Sequence, residues 1–499
     1  MKGKDISNAL SGVNEKYVEE SRPRARSRVK WGWVAAAAAM FLVAVFGGYF
    51  GVRAIMNRNE VTVNIDPTAV PTFFATNAPT AVPISTPEVT PYVKPPTGAA
   101  PIMLASAENP TTPGHDDGYY RFLNDLRNSG TFGAGESLTG FYASIQRELL
   151  SGGENAVCSP YNIYMALAML AEITEGNTRA QILDLIGVPS VAELRTQYNR
   201  LFDANYRNSE DVAVTIPSAS MWLRDGYPYN ADAIRTLNET YRASLGSGTM
   251  GDPAYDALIE EWLNNATGGL LRDSAAEAAK TDPAQVLKLI SALYFKAQWQ
   301  QKFNPQAFYT DVFHTPIGDR EVEFMSGIAE YGWKFDGYTL AAKRLADGGS
   351  VMWFVLPDEG VTLESIIESG DPLLRILSGE TSLDHENRVF LNMPKLDVKA
   401  EFSLEKSLKR LGVTDCFNYG IADFSPLSDD QLFVSRIIHS ARLTADNDGV
   451  EAAAFTVIDV TLGGAFTTPD STVTLDRPFM FLLTSADSTP LFVGTVYEP

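Results

Sequence analysis

The feature that most constrains the fold is a stretch of 382 residues, from Gly118 to Pro499, that contains no internal linker. Its first part has apolar residues at the spacing of amphipathic helices, as in "ESLTGFYASIQRELL". Its later part carries apolar runs typical of strands, as in "QVLKLISALYF", "SVMWFVLP", "VFLNMPKLDV", "FMFLLTS" and "PLFVGTVYE". Helices and mostly antiparallel strands within one large unit predict an α+β fold.

An uncharged apolar run from Trp31 to Val52 precedes this unit and is long enough to cross a bilayer. The basic stretch "RPRARSRVK" comes before it and few basic residues follow, so the positive-inside rule puts the N-terminus in the cytoplasm. We expect a basic cytoplasmic tail over 1–30 and a transmembrane signal anchor over 31–53, in a single-pass protein of the cell membrane. The alternative is a cleaved signal peptide, but no clear small-residue cleavage site follows the run.

Residues 54–117 are rich in proline and threonine. Between residues 60 and 117 lie 11 of the 28 prolines of the chain. Such a segment cannot build a core, and it favours polyproline II conformations. We expect a disordered, semi-extended extracellular stalk that holds a domain over 118–499 away from the membrane.

The charge balance argues against nucleic acid as a partner. The net charge is −21. Residues 1–59 hold ten Lys/Arg and four Asp/Glu, so residues 60–499 hold 30 Lys/Arg and 57 Asp/Glu, a net charge of −27. A protein that binds nucleic acid needs a basic surface.

The motifs of enzymes and metal sites are absent from the sequence. There is no G-x-S-x-G elbow, phosphate-binding loop or H-E-x-x-H, and no Cys/His pair has metal-ligand spacing. The S-x-x-K of Ser403 and Lys406 lacks the K-T-G and S-D-N elements of its enzymes, so we interpret Ser403 as the cap of a short helix. We expect no catalytic activity, cofactor or metal. Cys158 and Cys416 are expected to be free core residues, with a disulfide as the alternative.

The stretch "NDGVEAAAFTVIDVTLGG", which begins at Asn447, combines a glycine, an alanine run and a β-branched tail. A strand would place its alternate side chains on opposite faces. One face would be small or apolar throughout and would carry Val450, Ala452, Ala454, Thr456, Ile458, Val460 and Leu462. The other face would carry both acids, in the set Glu451, Ala453, Phe455, Val457, Asp459 and Thr461. This pattern predicts a strand whose first face lies in a core.

Motifs from about residue 138 to residue 499 resemble, in order, those of the serpin family. They are "NAVCSPYNIYMALAMLAEITEGNTRAQIL", "LKLISALYFKAQWQQKFNP", "FVLPDEG", "MPKLDV", "LKRLGVTDCFN", "ADFSPLS", "DNDGVEAAAFT", "DRPFMFLLTS" and "PLFVGTVYEP". The resemblance implies a large central mixed β-sheet with two further sheets, about eight or nine helices and an exposed reactive-centre loop over 447–473. It also implies a suicide-substrate inhibitor: a protease cleaves the loop and stays attached as an acyl-enzyme while the loop inserts into the central sheet.

The resemblance assigns a hinge to the start of this loop, at Gly449, Val450, Glu451, Ala452, Ala453 and Ala454. Its small side chains would pass between paired strands, and its glycine would supply backbone freedom. Val450 stands where the family prefers threonine, and Phe455 stands where a small residue is usual. We expect the valine to permit insertion and the phenylalanine to slow it. The alternative is a non-inhibitory serpin that serves as a binding or chaperone module.

The loop spacing of the family locates the scissile bond. Counted forward from Asn447 it follows Gly463, and counted back from Pro478 it lies about four residues later, near Thr467. We therefore expect the bond within Leu462, Gly463, Gly464, Ala465, Phe466 and Thr467. No Lys or Arg lies between Arg442 and Arg477. Trypsin-like targets are therefore disfavoured, and elastase-like or subtilisin-like extracellular serine proteases are favoured. We expect a covalent complex between one such protease and a monomeric inhibitor.

By the same resemblance, a polar cluster called the shutter supports the central sheet where its strands part. Its members are Ser159, Asn162, Ser291 and His439. Asn162 stands where the family has serine and Ser291 where it has asparagine, which we interpret as a compensatory exchange within one buried network. Trp299 matches the tryptophan of the breach, the point at which the loop first inserts.

Overall fold

The computed structural model of the protein describes residues 92–93, 98, 100–115, 118–381, 383, 387–451 and 471–499. The predicted tail, the predicted anchor and the first part of the predicted stalk lie outside these residues, as does most of the reactive-centre loop. No helix in the described part has the length and apolarity needed to cross a membrane.

Eleven α-helices lie in the described ranges, against the eight or nine expected. They are α1 (Tyr119–Asn128), α2 (Thr139–Leu150), α3 (Pro160–Glu172), α4 (Gly176–Ile186), α5 (Val191–Asn205), α6 (Ala231–Glu239), α7 (Pro253–Ala266), α8 (Arg272–Ala279), α9 (Leu363–Ser369), α10 (Asp371–Leu377) and α11 (Leu404–Arg410). Helix α1 precedes the first family motif. Gly370, with φ 66°, separates two short helices, α9 and α10, that would otherwise be one.

The same ranges hold twenty strands. Those of the first part are β1 (Tyr92–Val93), β2 (Ile102–Ala105), β3 (Ala156–Cys158), β4 (Arg207–Ser209), β5 (Ala213–Arg224), β6 (Tyr229–Asn230), β7 (Ala243–Gly248) and β8 (Leu287–Gln298). Those of the second part are β9 (Tyr309–Thr315), β10 (Gly318–Ala329), β11 (Tyr331–Phe335), β12 (Tyr338–Arg344), β13 (Val351–Pro357), β14 (Val389–Pro394), β15 (Leu396–Ser403), β16 (Ile438–Ala445), β17 (Gly449–Val450), β18 (Thr472–Thr474), β19 (Phe479–Thr484) and β20 (Pro490–Val496).

The strands form the expected large mixed sheet and two further sheets. The central sheet has the order β15-β16-β17-β8-β5-β7-β2, with β4 paired to β5. It is mixed because β5 and β7 run parallel while β5 and β8 run antiparallel. The other two have the orders β11-β12-β13-β19-β20-β3 and β18-β14-β10-β9, and a two-stranded pair, β1 with β6, completes the set.

The shortest strand of the central sheet, β17, lies between β8 and β16. These strands have 12 and 8 residues, yet the strand that joins them, β17, has only two. Within the described residues, no other strand pairs with these two facing edges. We refer to the interval between these two edges, in which β17 is the only described strand, as the gap.

Helix α3 lies behind this gap and forms the centre of the core. All of its residues except Ala166 are buried, and it contacts both β8 and β20. A helix that is apolar around its whole circumference must be buried in this way. Its C-terminal Glu172 accepts hydrogen bonds from Arg195 (Nε to Oε2, 2.9 Å) and from the hydroxyl of Tyr241 (3.0 Å), which ties α3 to α5 and to the chain before β7.

The end of the predicted stalk belongs to the folded domain, which corrects the boundary expected at residue 117. Strand β2 pairs antiparallel with β7 and forms the outer edge of the central sheet. Beyond it, the amide of Ala107 donates to Ser244 Oγ at 3.2 Å, and Thr112 Oγ1 accepts from the amide of Asn208 at 3.1 Å. The short apolar run "IMLA" adds to an existing edge although prolines surround it.

Local predictions have mixed outcomes. Helix α4 has Glu175 as its N-cap and ends at Gly187, whose φ is 68°. Ser403 occupies the N-cap position of α11, although its side chain makes no capping hydrogen bond. Cys158 and Cys416 are both buried and free.

Candidate functional site

The chain turns tightly between β16 and β17 to reach the gap. The amide of Asp446 donates to the carbonyl oxygen of Gly449 at 3.0 Å, and Asp446 Oδ1 accepts from the amide of Asp448 at 2.8 Å. After the turn, Gly449 pairs with Gln298, and Val450 lies between Ala297 and the end of β16. The first two hinge residues are thus already part of the central sheet.

Gly449 is required here by close approach, and the backbone freedom expected of it in the hinge stays a prediction. A Cβ on this residue would lie 2.3 Å from the carbonyl oxygen of Ala297. No side chain fits at that distance, so any substitution must push β17 away from β8.

Trp299, the predicted breach residue, holds the turn from below. Its side chain is 2% exposed. The indole Nε1 donates to the carbonyl oxygen of Asp446 at 2.7 Å, and the main-chain amide of Trp299 donates to the carbonyl oxygen of Asp448 at 3.0 Å. The carboxylate of Asp448 also pairs with Lys302 at 3.1 Å.

Lys343, a residue not predicted from the sequence, lies beside Trp299. Its Nζ donates to the carbonyl oxygen of Ile328 at 2.6 Å and lies 4.7 Å from the ring centre of Phe303 and 5.7 Å from that of Trp299. Burial lowers the pKa of this amine to about 8. The residue stands in the plain stretch "AAKRLADG", in which no pattern marks it as a support of the breach.

The structure brings the four predicted shutter residues together behind the middle of the gap. The amide of Ser159 donates to His439 Nε2 at 2.9 Å, and Ser159 Oγ accepts from the amide of Asn162 at 3.1 Å. Asn162 Nδ2 donates to the carbonyl oxygen of Ser291 at 3.2 Å, and Ser291 Oγ donates to that of Asn162 at 3.1 Å. These contacts connect α3 with β8 and β16.

Asn162 and Ser291 therefore contact each other, one on α3 and one on β8. Each side chain bonds to the other's main chain. An exchange of the two residue types keeps one amide and one hydroxyl at the same contact, although the compensatory role stays a prediction. Asn162 Oδ1 is buried and has no hydrogen-bond partner among the described residues.

His439 is held in its neutral form. It is 5% exposed, and burial lowers its pKa from 6.5 to about 4. Its Nε2 must be unprotonated to accept from the amide of Ser159, so the shutter bond and the low pKa agree. The imidazole also stacks on Phe402 of the neighbouring strand, with ring centres 6.4 Å apart.

The remaining predicted site residues lie outside the described part of the chain. They are Ala452, Ala453 and Ala454 of the hinge, and the candidate bond residues Leu462, Gly463, Gly464, Ala465, Phe466 and Thr467. Within the described residues, no group of His, Cys, Asp and Glu side chains is arranged to hold a metal ion. A cavity of about 740 Å³ adjoins the hinge, and its charged lining is mixed, with Lys296, Arg344, Asp448 and Glu451.

Acidification is expected to destabilise the domain through His439. An unfolded histidine takes up its proton near pH 6.5, whereas the folded one does so only near pH 4. Stability is therefore lost as the pH falls from 6.5 to 4, with a slope of at most about 1.4 kcal/mol per pH unit. The measurement compares unfolding free energies of the wild type and His439→Asn across this range. The wild-type curve should fall more steeply, and parallel curves would contradict the assignment.

The sequence model of the family described as serpin (serine protease inhibitor) matches residues 136–499. An uncharacterized serpin-like protein from Thermococcus kodakarensis is 26% identical over 376 residues, which cover 73% of this chain and 85% of that protein. Leukocyte elastase inhibitor from Equus caballus is 28% identical over 357 residues, which cover 69% of this chain and 93% of that protein.

Two solved structures have the same fold. A thermophilic serpin, tengpin, in its native state gives a TM-score of 0.65 at 24% identity and covers 80% of this chain and 100% of that chain. Human thyroxine-binding globulin complexed with thyroxine gives a TM-score of 0.63 at 21% identity and covers 76% of this chain and 99% of that chain. Because the family model matches well over half of its length, this chain belongs to the serpin family.

Proposed function

We propose that this serpin inhibits extracellular serine proteases by suicide-substrate trapping. The observation that carries the proposal is that the first two hinge residues, as β17, pair with β8 and continue from β16. A loop that is cleaved beyond the hinge could continue along both edges as a new central strand. The protease would be attached to the loop as an acyl-enzyme and would move with it.

The register of β17 gives the position of each inserted residue. Val450 pairs with Ala297 on one side and with Ala445 on the other. Each further loop residue would lie opposite the preceding residue of both strands, since the pairing is antiparallel on both sides. Residue 460 would then reach Leu287, the first residue of β8.

This register supports the two faces predicted from the sequence. Ala452 would lie between Phe295 and Leu443, each 3% exposed. Ala453 would lie on the other face between Tyr294 and Arg442, which are only half-buried. The face that must be small and apolar is therefore the one that meets the core.

The same register would bring Thr456 to the shutter. It would lie directly between Ser291 and His439, on the core face. A threonine hydroxyl there could donate to Asn162 Oδ1, the acceptor that lacks a partner among the described residues. A buried acceptor gains about 1–3 kcal/mol when its missing hydrogen bond is made.

The loop composition supports elastase-like or subtilisin-like targets. The stretch between Arg442 and Arg477 contains no basic residue, and the candidate bond lies in "LGGAFT". Two of the curated relatives bear the name leukocyte elastase inhibitor. We extend that specificity class to this chain only as a proposal.

We further propose that residues 31–53 tether the inhibitor to the cell membrane, with the serpin domain outside. The uncharged run of 31–52 and the basic stretch before it support this arrangement. A tethered inhibitor would protect the cell surface from proteases in the surrounding medium.

The trapping proposal predicts that Ala452→Asp turns the inhibitor into a substrate, because the carboxylate would be buried between Phe295 and Leu443. An unpaired buried charge costs several kcal/mol and slows insertion. Ala453→Asp is the matched control, since its carboxylate would lie near Arg442 on the other face. The assay incubates each protein with an elastase-like protease and reads a protease-sized shift on a denaturing gel. The wild type and the control should trap the protease, and Ala452→Asp should be cleaved without a shift.

Two results would contradict parts of this proposal. Equal trapping by both aspartate variants would show that the faces are assigned wrongly. Cleavage of the wild type without any shifted band would favour the non-inhibitory alternative, in which the domain binds a ligand or partner, as thyroxine-binding globulin binds thyroxine.

Mass spectrometry of the C-terminal peptide released from the complex locates the cleaved bond. We expect a cut within residues 462–467, because the length from the hinge to that segment matches the length needed to pass the end of β8. A cut outside this segment would overturn the assignment of the loop length and of the target class.

The tether predicts that the full chain stays in the membrane pellet during alkaline carbonate extraction of the cells that produce it. A variant that lacks residues 31–53 should be soluble and should trap protease equally well, because the serpin domain lies elsewhere in the chain. Release of the unaltered full chain by carbonate would contradict the anchor.

A further inference from the structure

The turn that leads from β16 into the hinge, residues 446–448, is held through its main-chain carbonyl oxygens, and we call it the hinge turn. Trp299 Nε1 donates to the carbonyl oxygen of Asp446 at 2.7 Å, and the amide of Trp299 donates to that of Asp448 at 3.0 Å. The amide of Phe303 donates to the carbonyl oxygen of Asn447 at 3.1 Å. The position of the hinge turn therefore depends on two aromatic residues.

The rings of these two residues pack against each other. The ring centres of Trp299 and Phe303 lie 5.8 Å apart, and the ring planes meet at 84°. Both side chains are buried. The Phe303 ring also lies against the backbone of β10, since a Cβ on Gly327 would come within 2.7 Å of it. A displacement of this ring pair would displace the donors that hold the hinge turn.

The ammonium group of Lys343, on β12, lies against both rings. Its Nζ is 4.7 Å from the ring centre of Phe303 and 5.7 Å from that of Trp299, within the range of cation–π attraction. The side chain is fully buried, and Nζ donates to the carbonyl oxygen of Ile328 at 2.6 Å. Cation–π attraction is strongest where water is excluded, so the charge of Lys343 is well placed to fix the ring pair.

A buried carboxylate compensates this charge. Glu330, between β10 and β11, is 1% exposed; its Oε2 accepts from the amide of Arg344 at 2.9 Å, and its Oε1 has no hydrogen-bond partner among the described residues. Among the charged groups of the described chain, Glu330 is the one whose charge acts on the pKa of Lys343, and it raises that pKa. The other charged residues on the elements around the ring pair are Lys302, Arg344, Asp446 and Asp448.

We propose that Lys343 is a positioning residue whose charged amine orients Trp299 and Phe303 and so keeps the hinge turn in place. That the turn serves protease trapping rests on the proposed function, whereas its dependence on Lys343 does not. Loss of the positive charge, by substitution or by deprotonation, removes the attraction to both rings. The hinge turn then opens more often.

The charge of Lys343 changes in an accessible pH range. Burial lowers the pKa of its amine from 10.5 to about 8, so the group is charged below pH 8 and neutral above it. The closed turn, in which the amine lies against both rings, favours the proton more than the open turn does, so closure weakens as the pH rises through 8. Relative to the unfolded chain the sign is opposite. The buried charge costs stability below pH 8, and this cost disappears between pH 8 and 10.5.

Hydrogen exchange read by mass spectrometry tests the inference in the full chain. The readout is the protection of the peptide that contains the Trp299 and Phe303 amides, which bond directly to the hinge turn. The test variant combines Glu330→Gln with Lys343→Met, which fills the site and leaves no buried carboxylate without its cation. Glu330→Gln alone is the matched control, because it keeps the amine.

In the wild type, protection should fall by roughly three- to tenfold between pH 6 and pH 9, with a midpoint near 8. In Glu330→Gln the same fall should occur at a lower pH, because the carboxylate that raises the pKa is gone. The double variant should have low protection at both pH values. The emission of Trp299, obtained by subtracting the spectrum of the matching Trp299→Phe protein, should shift with the same midpoint and stay constant in the double variant.

Equal protection of Glu330→Gln and the double variant at pH 6 would overturn the inference. Constant wild-type protection from pH 6 to pH 9 would do so too, because the side chain would then act by its volume alone. Urea unfolding of the same proteins measures overall stability, and a loss of protection that only follows a loss of overall stability would likewise contradict a specific hold on the turn.

None of these readouts requires the loop to insert. If an elastase-like protease cleaves the wild type without a shifted band, the trapping proposal fails, and the role of Lys343 is decided by hydrogen exchange alone. If the protease is trapped while the exchange does not depend on Lys343, the trapping proposal is supported and only this inference is wrong.

Discussion

The structure depends on the two facing edges of β8 and β16. Among the described residues, their backbone groups are joined only through the two residues of β17. Backbone N–H and C=O groups need partners, and a strand between these edges would form a hydrogen-bonded ladder on each side. Under the proposed function, the arrangement before insertion would be higher in energy than the inserted one and would persist through a kinetic barrier. The contacts that hold the two edges would contribute to that barrier.

Two groups of contacts hold the edges, and those of the shutter are neutral. At the hinge, the indole of Trp299 donates to the carbonyl oxygen of Asp446, and the ion pair between Lys302 and Asp448 is partly exposed. At the shutter, the contacts come from a hydroxyl, an amide and an unprotonated imidazole. Neutral groups can separate and find new partners at a modest cost, whereas a buried ion pair that loses one partner costs several kcal/mol. Under the proposed function, the neutral contacts of the shutter would allow the two edges to separate and find new partners.

Much of the fold could be predicted from the sequence, because the relevant patterns are local. The continuous apolar runs of β13 and β19 predict strands, and both strands are buried along their whole length. The alternation after Val450 stays a prediction. Two features could not be predicted in this way. The pairing of β2 depends on the free edge of β7, which is distant in the sequence. The reason for a glycine at 449 is the carbonyl oxygen of Ala297, and only the folded sheet shows how close the two strands lie.

The position of Phe455 illustrates the same limit and bears on speed of insertion. Strand period puts this residue on the outer face, where a partly solvated surface was expected. The continued register puts it beside Ala292, which is buried in an apolar cluster with Leu263 of α7 and Ala275 of α8. The aromatic ring would have to pass beneath these helices, so they must move outward first. The contact is apolar, and separating it costs roughly 25 cal/mol per Å² of surface exposed. Alanines 452 to 454 have small side chains on both faces, so insertion as proposed would begin without this cost and would meet its main resistance at Phe455.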